Sequence, residues 1–334
     1  MYENFILLDH VEEEFLQDIR DFLIEWGSDS GEIEVQTSGS TGVPKIMRFK
    51  KEQLIASAKA TGAFFEFREG QSILLNLSPK YIAGKLMLVR ALVFHIKVIV
   101  APLNNNPLQF FTNTAHKIHF AAFVPAQVQS ILSTPNTRKI YQEIDQVIIG
   151  GGEINSELLR EISQLKNRSY ATFGMTETLT HIALKPIQKK KTYFNCLPNV
   201  TVDVDSRGCL MISVPYLAEK VVTNDLVKVL DENTFDWLGR IDNIINSGGV
   251  KLSPEQIDAK IKTLLPNNRF YTVGEQSDRW GQIVVLKIEG EMETAALHQL
   301  KERLLENLDK YEVPKKIRLL KKFEETGSGK VKRI

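Results

Sequence analysis

Cysteine is nearly missing from this sequence: 334 residues contain two, Cys196 and Cys209. That excludes a disulfide-stapled scaffold and makes a reducing cytoplasm the expected location. An excess of one charge is missing as well. Lys and Arg number 42 against 41 Asp and Glu, for a net charge of +1. The charge balance therefore gives no reason to expect nucleic acid or a membrane surface as partner. Long apolar runs are also lacking. The most apolar segment, Leu86 to Val100, is interrupted by Arg90, His95 and Lys97, and is too short and too charged to span a bilayer. The N-terminus, MYENFILLDHVEEEF, carries acids where a secretory leader needs a basic region and an unbroken apolar run. No short-period repeat is present. His116 and His119 in HKIH mimic a metal pair, but no further ligands gather near them.

What remains is a composition of 43% hydrophobic and 25% charged residues, that of a soluble globular protein with room for one large or two ordinary domains. Periodicity predicts alternating helices and strands. Helices are expected at Glu52–Phe67, Ile82–Phe94, Pro107–Lys117 and about Asn155–Leu165. Short apolar strands are expected at Ser72–Leu77, Lys97–Ala101, His119–Val124, Gln146–Ile149 and Ser169–Phe173. Such alternation implies a mainly parallel sheet covered by helices, whose ligands sit beyond the carboxyl ends of the strands. GGE after QVII and GMTE after SYATF occupy such ends. From Lys191 to Leu238, short alternating segments suggest antiparallel β-structure. From Asp242 onward the pattern is compact α+β. A helix starts at Ser253-Pro254-Glu255, strands follow at Phe270–Val273 and Ile283–Ile288, and a helix runs over Thr294–Leu308.

Four stretches carry chemistry. TSGSTGVPK, Thr37 to Lys45, joins hydroxyls and glycines that bring backbone N–H groups close to an anion with a lysine charge. It lacks the Walker A order, and a flexible Ser/Gly loop is the plain alternative. YATFGMTET, Tyr170 to Thr178, ends a strand in a tight turn bearing Thr176 and Glu177; an ordinary capped junction is the alternative there. Next come DWLGRIDNIINSGGVKLSPEQID, Asp236 to Asp258, and the C-terminal EETGSGKVKRI, which contains Lys330.

In order and spacing these stretches resemble the signatures of the adenylate-forming superfamily: acyl- and aryl-CoA ligases, luciferases and nonribosomal peptide adenylation domains. TSGSTGVPK is similar to its phosphate loop and GMTE to its Gly-x-Thr-Glu. Thr223-Asn224-Asp225 resembles a degenerate Thr-Gly-Asp, GRIDN its hinge, and TGSGKVKR its catalytic-lysine segment. The resemblance runs from about Glu34 to Ile334. It implies an α/β fold: a large N-terminal domain, residues 1–241, with mainly parallel sheets and a small β subdomain, and a small mobile α+β C-terminal domain, residues 242–334.

The resemblance also implies a two-step reaction using ATP, Mg²⁺ and coenzyme A. A small-molecule carboxylic acid attacks the α-phosphate, and a thiol then displaces AMP. Thr37, Ser38, Gly39, Ser40, Thr41, Gly42 and Lys45 would hold the β- and γ-phosphates. Thr176 would contact the α-phosphate, and Glu177 would bind Mg²⁺. Gly151, Gly152 and Phe173 would line the adenine pocket, with Phe173 standing where the family usually has Tyr. Asp225 would accept the ribose hydroxyls and Arg240 would lie beside them. Lys330 would bridge the carboxylate and α-phosphate oxygens, Asp242 would be the hinge, and Gly249 would border the pantetheine tunnel.

The phosphate loop begins at residue 37, so most of an N-terminal subdomain is expected to be missing relative to the family. That brevity is similar to short o-succinylbenzoate–CoA ligases of menaquinone biosynthesis. SPKYIAGK, Ser78 to Lys85, resembles their acyl-pocket segment, with Tyr81 in place of His. A second substrate carboxylate would need a partner, for which Lys85 and His181 are candidates. The expected partners are thus the acid, ATP and CoA, with no nucleic acid and no membrane insertion; a homodimer stays open. Two other readings stay open: another aryl- or acyl-CoA ligase, and a nucleotide-binding protein without ligase activity.

Overall fold

The computed structural model describes residues 4–36, 46–111, 116–188, 193–324, 331 and 333. By internal contacts the chain divides into two compact units. One comprises residues 1–154, 158–201 and 212–221; the other comprises 155–157, 202–211 and 222–334.

The first unit is built on strands β1 (Phe5–Leu7), β2 (Glu32–Gln36), β3 (Ile46–Lys50), β4 (Ser72–Leu75), β5 (Lys97–Val100), β6 (Phe120–Phe123), β7 (Gln146–Ile149), β8 (Arg168–Gly174), β9 (His181–Pro186) and β10 (Phe194–Cys196). Helices α1 (Glu13–Gly27), α2 (Lys51–Phe65), α3 (Ile82–Phe94), α4 (Pro125–Leu132), α5 (Pro135–Glu143) and α6 (Ser156–Ser163) connect them. The sheet order is β1-β5-β4-β6-β7-β8-β9-β10. Pairings from β1 to β8 are parallel, whereas β8–β9 and β9–β10 are antiparallel. β2 and β3 form a separate antiparallel hairpin. The central strands SILL, KVIV, FAAF and QVII are apolar along almost their whole length because both sheet faces are covered. Leu74, Ile99, Phe123, Val147 and Ile149 pack with Tyr141 of α5 and Leu158 and Ile162 of α6.

α3 spans the residues its sequence predicts. Its apolar character all round reflects burial of Gly84 through Ala91 without interruption. The expected helix at Pro107–Lys117 does not form as such. A single 3₁₀ turn covers Pro107–Phe110, and Phe111 leaves the helical region (φ −81°, ψ 75°) to bury its ring. Residues 112–115 lie outside the described part.

The second unit contains β11 (Thr201–Val204), β12 (Cys209–Ser213), β13 (Val221–Asp231) and β14 (Thr234–Arg240). It continues with β15 (Ile245–Ser247), β16 (Val250–Leu252), α7 (Pro254–Ile261), β17 (Phe270–Ser277), β18 (Gly281–Glu289), α8 (Thr294–Asn307) and β19 (Lys316–Leu320). β13 and β14 make an antiparallel ribbon. A five-stranded sheet runs β16-β15-β18-β17, with β19 parallel to β18. Its core is Ile245, Ile257, Ile261, Val284, Leu286, Ile288, Leu300 and Leu304. Ser253 caps α7 as expected, its hydroxyl accepting from Gln256 N at 3.5 Å, with Pro254 in the first turn. Among the described residues no helix is long and apolar enough to cross a membrane.

Candidate active site

In the first unit the SPKY, GGE and GMTE stretches lie at the carboxyl ends of the parallel strands β4, β7 and β8, where open α/β sheets bind ligands. Thr37, Ser38, Gly39, Ser40, Thr41, Gly42 and Lys45 lie outside the described residues. Their flanks are placed: Gln36 of β2 pairs with Ile46 of β3. Gln36 also makes a parallel bridge to Tyr81, which joins the end of β2 to the residue before α3.

Tyr81 is 47% exposed and immediately precedes α3. One turn on, Gly84 brings the helix against the preceding strand end. A Cβ there would overlap the carbonyl oxygens of Leu77 and Ser78. Lys85 is buried, and its charge is already met: Nζ lies 3.3 Å from Glu25 Oε2 and 5.0 Å from the centre of the Phe22 ring, both on α1.

After β7 the chain turns through Gly151, whose φ of +79° suits glycine. After β8, Gly174 sits at a bulge opposite His181, where a Cβ would overlap the His181 and Thr180 backbone. Phe173, at the end of β8, packs edge-on to Phe194 with ring centres 5.7 Å apart. A 3₁₀ turn, Thr176–Thr178, follows. Thr178 Oγ1 accepts from Met175 N at 3.2 Å and donates to Thr180 O at 2.8 Å; the Tyr216 hydroxyl donates to Thr178 O at 3.2 Å. The turn is thus held from below. Thr176 is half-buried and Glu177 is exposed, and among the described residues no cation pairs with Glu177.

Beneath this turn lies a group that sequence reasoning missed. Arg90 of α3 is fully buried, and among the described residues no carboxylate pairs with it. Its Nη2 donates to Thr180 Oγ1 at 3.1 Å and approaches Thr61 Oγ1 at 3.5 Å, while Nη1 contacts Met87 Sδ at 3.4 Å. Burial pulls its pKa down to about 10, which leaves it charged at neutral pH. Thr180 Oγ1 also lies 3.2 Å from His181 Nδ1. A hydroxyl that accepts from Arg90 has its proton free for Nδ1, which assigns the neutral tautomer with hydrogen on Nε2. His181 Nε2 is buried with no hydrogen-bond partner. Burial, and next the Arg90 charge, hold the His181 pKa well below its ordinary value. The cluster therefore offers a buried positive charge and an unmet N–H donor. Its sequence signal was an arginine inside a largely apolar helix whose other charged residue is Lys85.

In the second unit, Asp225 of β13 is buried. Its Oδ1 accepts from Trp237 Nε1 at 2.9 Å, and its Oδ2 lies 3.7 Å from Arg240 Nη1. The Arg240 guanidinium also holds Asp242 at 2.5 Å. Asn224, standing where the family motif has glycine, donates through Nδ2 to Asp242 Oδ1 at 3.1 Å. Gly239 has φ +133°, and a Cβ there would collide with Ser253 and Glu255 at the start of α7. The structure thus joins Asp225, Arg240 and Asp242 in one chain of contacts. Gly249 has φ +84° and open space around it. Lys330 lies outside the described residues, as does the Lys189–Lys191 run.

His119 is occupied structurally: Nδ1 accepts from Ser72 N at 3.0 Å. Among the described residues no group of three His, Cys, Asp or Glu could hold a metal ion. A single exposed carboxylate, Glu177, suits Mg²⁺, which binds one or two carboxylates together with substrate phosphates and waters.

Comparison with known proteins identifies the family. The family described as AMP-binding enzyme matches residues 36–236. A 2-succinylbenzoate–CoA ligase from Listeria monocytogenes serotype 4b (strain F2365) is 26% identical over 317 residues, covering 89% of this chain and 68% of its own length. One from Staphylococcus epidermidis (strain ATCC 35984) is 24% identical, covering 89% and 67%. Among solved structures, an acyl-CoA synthetase (AMP-forming)/AMP-acid ligase II-like protein from Dyadobacter fermentans DSM 18053 is 36% identical. It covers 96% of this chain and 92% of its own, with a TM-score of 0.64. The o-succinylbenzoate CoA synthetase of Bacillus subtilis in complex with its acyl-adenylate intermediate shares the fold, at 18% identity and a TM-score of 0.76 over 98% of this chain and 77% of its own.

Proposed function

This chain belongs to the AMP-binding enzyme family, and from that membership we propose that it is an ATP-dependent acid–CoA ligase whose acid is o-succinylbenzoate. The observation that carries the choice of acid is the unmet pair beneath the GMTE turn: buried Arg90 without a carboxylate and His181 Nε2 without an acceptor. o-Succinylbenzoate has two carboxylates. One is activated and the other needs a buried cation and donor, and a charged group left unpaired inside a protein is costly unless a ligand completes it.

In the first half-reaction an oxygen of the activated carboxylate attacks the α-phosphorus of ATP. The bond to the bridging oxygen of pyrophosphate breaks, and acyl-AMP forms. The reaction joins an anion to a polyanion, so the protein's work is neutralisation and alignment. In this reading the hydroxyls of Thr37, Ser38, Ser40 and Thr41, with Lys45 and the backbone of Gly39 and Gly42, take the β- and γ-phosphates. Thr176 meets the α-phosphate, and Gly151, Gly152 and Phe173 face the adenine. Asp225, oriented by Trp237, takes the ribose hydroxyls beside Arg240. Mg²⁺ supplies further charge neutralisation when bound, and Glu177 is the carboxylate that would hold it. Lys330 bridges the carboxylate and α-phosphate oxygens.

In the second half-reaction the CoA sulfur attacks the acyl carbon and AMP leaves. The C-terminal domain, residues 242–334, turns about Asp242 between the two steps, and Gly249 then borders the pantetheine path.

Pyrophosphate release from ATP and Mg²⁺ with o-succinylbenzoate, benzoate and a fatty acid, each with and without CoA, tests the reading. Release with o-succinylbenzoate supports it. Release with benzoate or the fatty acid alone would assign another acid, and no release with any acid would leave a nucleotide-binding protein.

A further inference from the structure

One backbone oxygen of the GMTE turn is held by a residue distant in sequence. The Tyr216 hydroxyl donates to Thr178 O at 3.2 Å. Tyr216 is half-buried, and burial pushes its pKa up, which keeps the hydroxyl protonated and a donor at neutral pH. Its carbonyl is fixed as well. Gln53 Nε2, in the first turn of α2, donates to Tyr216 O at 3.0 Å, while Gln53 Oε1 accepts from Lys50 N at 2.8 Å. The amide spends its donor on Tyr216 and its acceptor on the start of α2, which settles its orientation.

The residue after the turn is strained. Leu179 has φ +66° and ψ −42°, a region that a bulky side chain rarely adopts. It is fully buried, and its N donates to Thr176 O at 2.8 Å. Such a conformation persists only where its surroundings over-determine it. Here both neighbours are pinned: Thr178 by Tyr216, and Thr180 by Arg90 Nη2 on its hydroxyl at 3.1 Å. Releasing a pin lets Leu179 relax, and its N–H carries Thr176 with it.

We propose that Tyr216 is a positioning residue for the nucleotide α-phosphate: its hydroxyl, with its backbone held by Gln53, keeps the Thr176–Thr178 turn in the strained arrangement that presents Thr176. The inference rests on the ligase reading, in which Thr176 meets the α-phosphate. Tyr216 acts through Thr178 and Leu179, not on the nucleotide itself. A turn set before the substrate arrives spares the reaction the cost of ordering it.

The test compares two ligands that differ only in the phosphate. Titrated calorimetrically into the wild type, AMP should bind more tightly than adenosine. In Tyr216→Phe, which keeps the ring and loses the hydroxyl, AMP affinity should fall roughly tenfold, the scale of one hydrogen bond to a charged group, with adenosine within about twofold of wild type. Single-turnover formation of acyl-AMP should fall roughly tenfold to a hundredfold, as for a group misplaced by about 1 Å. Gln53→Glu keeps the acceptor for Lys50 N and loses the donor to Tyr216 O. It should weaken AMP about threefold and leave adenosine unchanged, and it decides the matter if Tyr216→Phe does not fold. Unchanged AMP affinity in either variant, or equal losses for AMP and adenosine, would overturn the proposal. A wild type that binds adenosine as tightly as AMP would instead overturn the role of Thr176 on which it rests.

Discussion

Arg90 and His181 share one hydroxyl: Thr180 Oγ1 lies 3.1 Å from Arg90 Nη2 and 3.2 Å from His181 Nδ1. That shared oxygen sets the histidine tautomer and leaves a buried N–H and a buried guanidinium without anionic partners in the described chain. Replacing Arg90 by Met should therefore separate binding from folding. The KM for o-succinylbenzoate should rise by roughly a hundredfold, about 3 kcal/mol, the scale of losing one member of a buried charge pair. Benzoate, lacking the second carboxylate, should lose no affinity. Stability in denaturant should be unchanged or higher, because the substitution removes an unpaired buried cation.

His181 predicts an acid weakness. Its folded pKa lies well below the ordinary value of 6.5, so below about pH 6.5 the unfolded chain takes up a proton that the folded chain refuses. The stability associated with neutral His181 is present above that pH. It is lost as pH falls towards the folded pKa, by at most about 1.4 kcal/mol per pH unit. Denaturant midpoints at pH 5 and pH 7 should differ in the wild type, and the difference should shrink in His181→Asn.

Gly84 is required by close approach, not by backbone angle. A methyl group there would press on the Leu77 and Ser78 carbonyls. Gly84→Ala should cost about 2–3 kcal/mol, read as a lowered denaturant midpoint at unchanged slope. A fully stable variant would show that α3 can shift away from the SPKY turn.

Trp237→Phe removes the donor that orients Asp225. The KM for ATP should rise about tenfold, the size of one hydrogen bond to a charged group, while the KM for the acid stays put. Isothermal titration with ATP alone gives the same comparison without turnover.

The sequence shows where chemistry sits better than what completes it. QVII is buried over its last three residues and SYATF alternates buried with half-buried positions, and both motif-bearing strand ends were legible from composition and periodicity. α3 was legible too, since its apolar run begins just after Tyr81 and ends at His95, which takes the left-handed conformation (φ 54°). Partners distant in sequence were not. The Lys85–Glu25 pair joins α3 to α1 across the chain, so a lysine that suits a substrate carboxylate by spacing already has a partner. Asn224 looks like a spoiled glycine in the motif, yet its amide holds Asp242. Of the expected helix at Pro107–Lys117, the described residues form only the 3₁₀ turn Pro107–Phe110, after which Phe111 leaves the helical region with its ring buried. Arg90 was visible as an oddity in an apolar helix, but only the fold brings it to Thr180 and His181.

The central claim is that this chain adenylates an acid whose second carboxylate is read by Arg90 and His181. The most direct measurement is the rate of ATP- and Mg²⁺-dependent pyrophosphate release with o-succinylbenzoate, set against the same acid carrying a methyl ester on the carboxylate that is not activated. The account predicts release with the diacid and a kcat/KM lower by roughly a hundredfold for the ester, with the gap closing in Arg90→Met. Equal rates for diacid and ester in the wild type would contradict it.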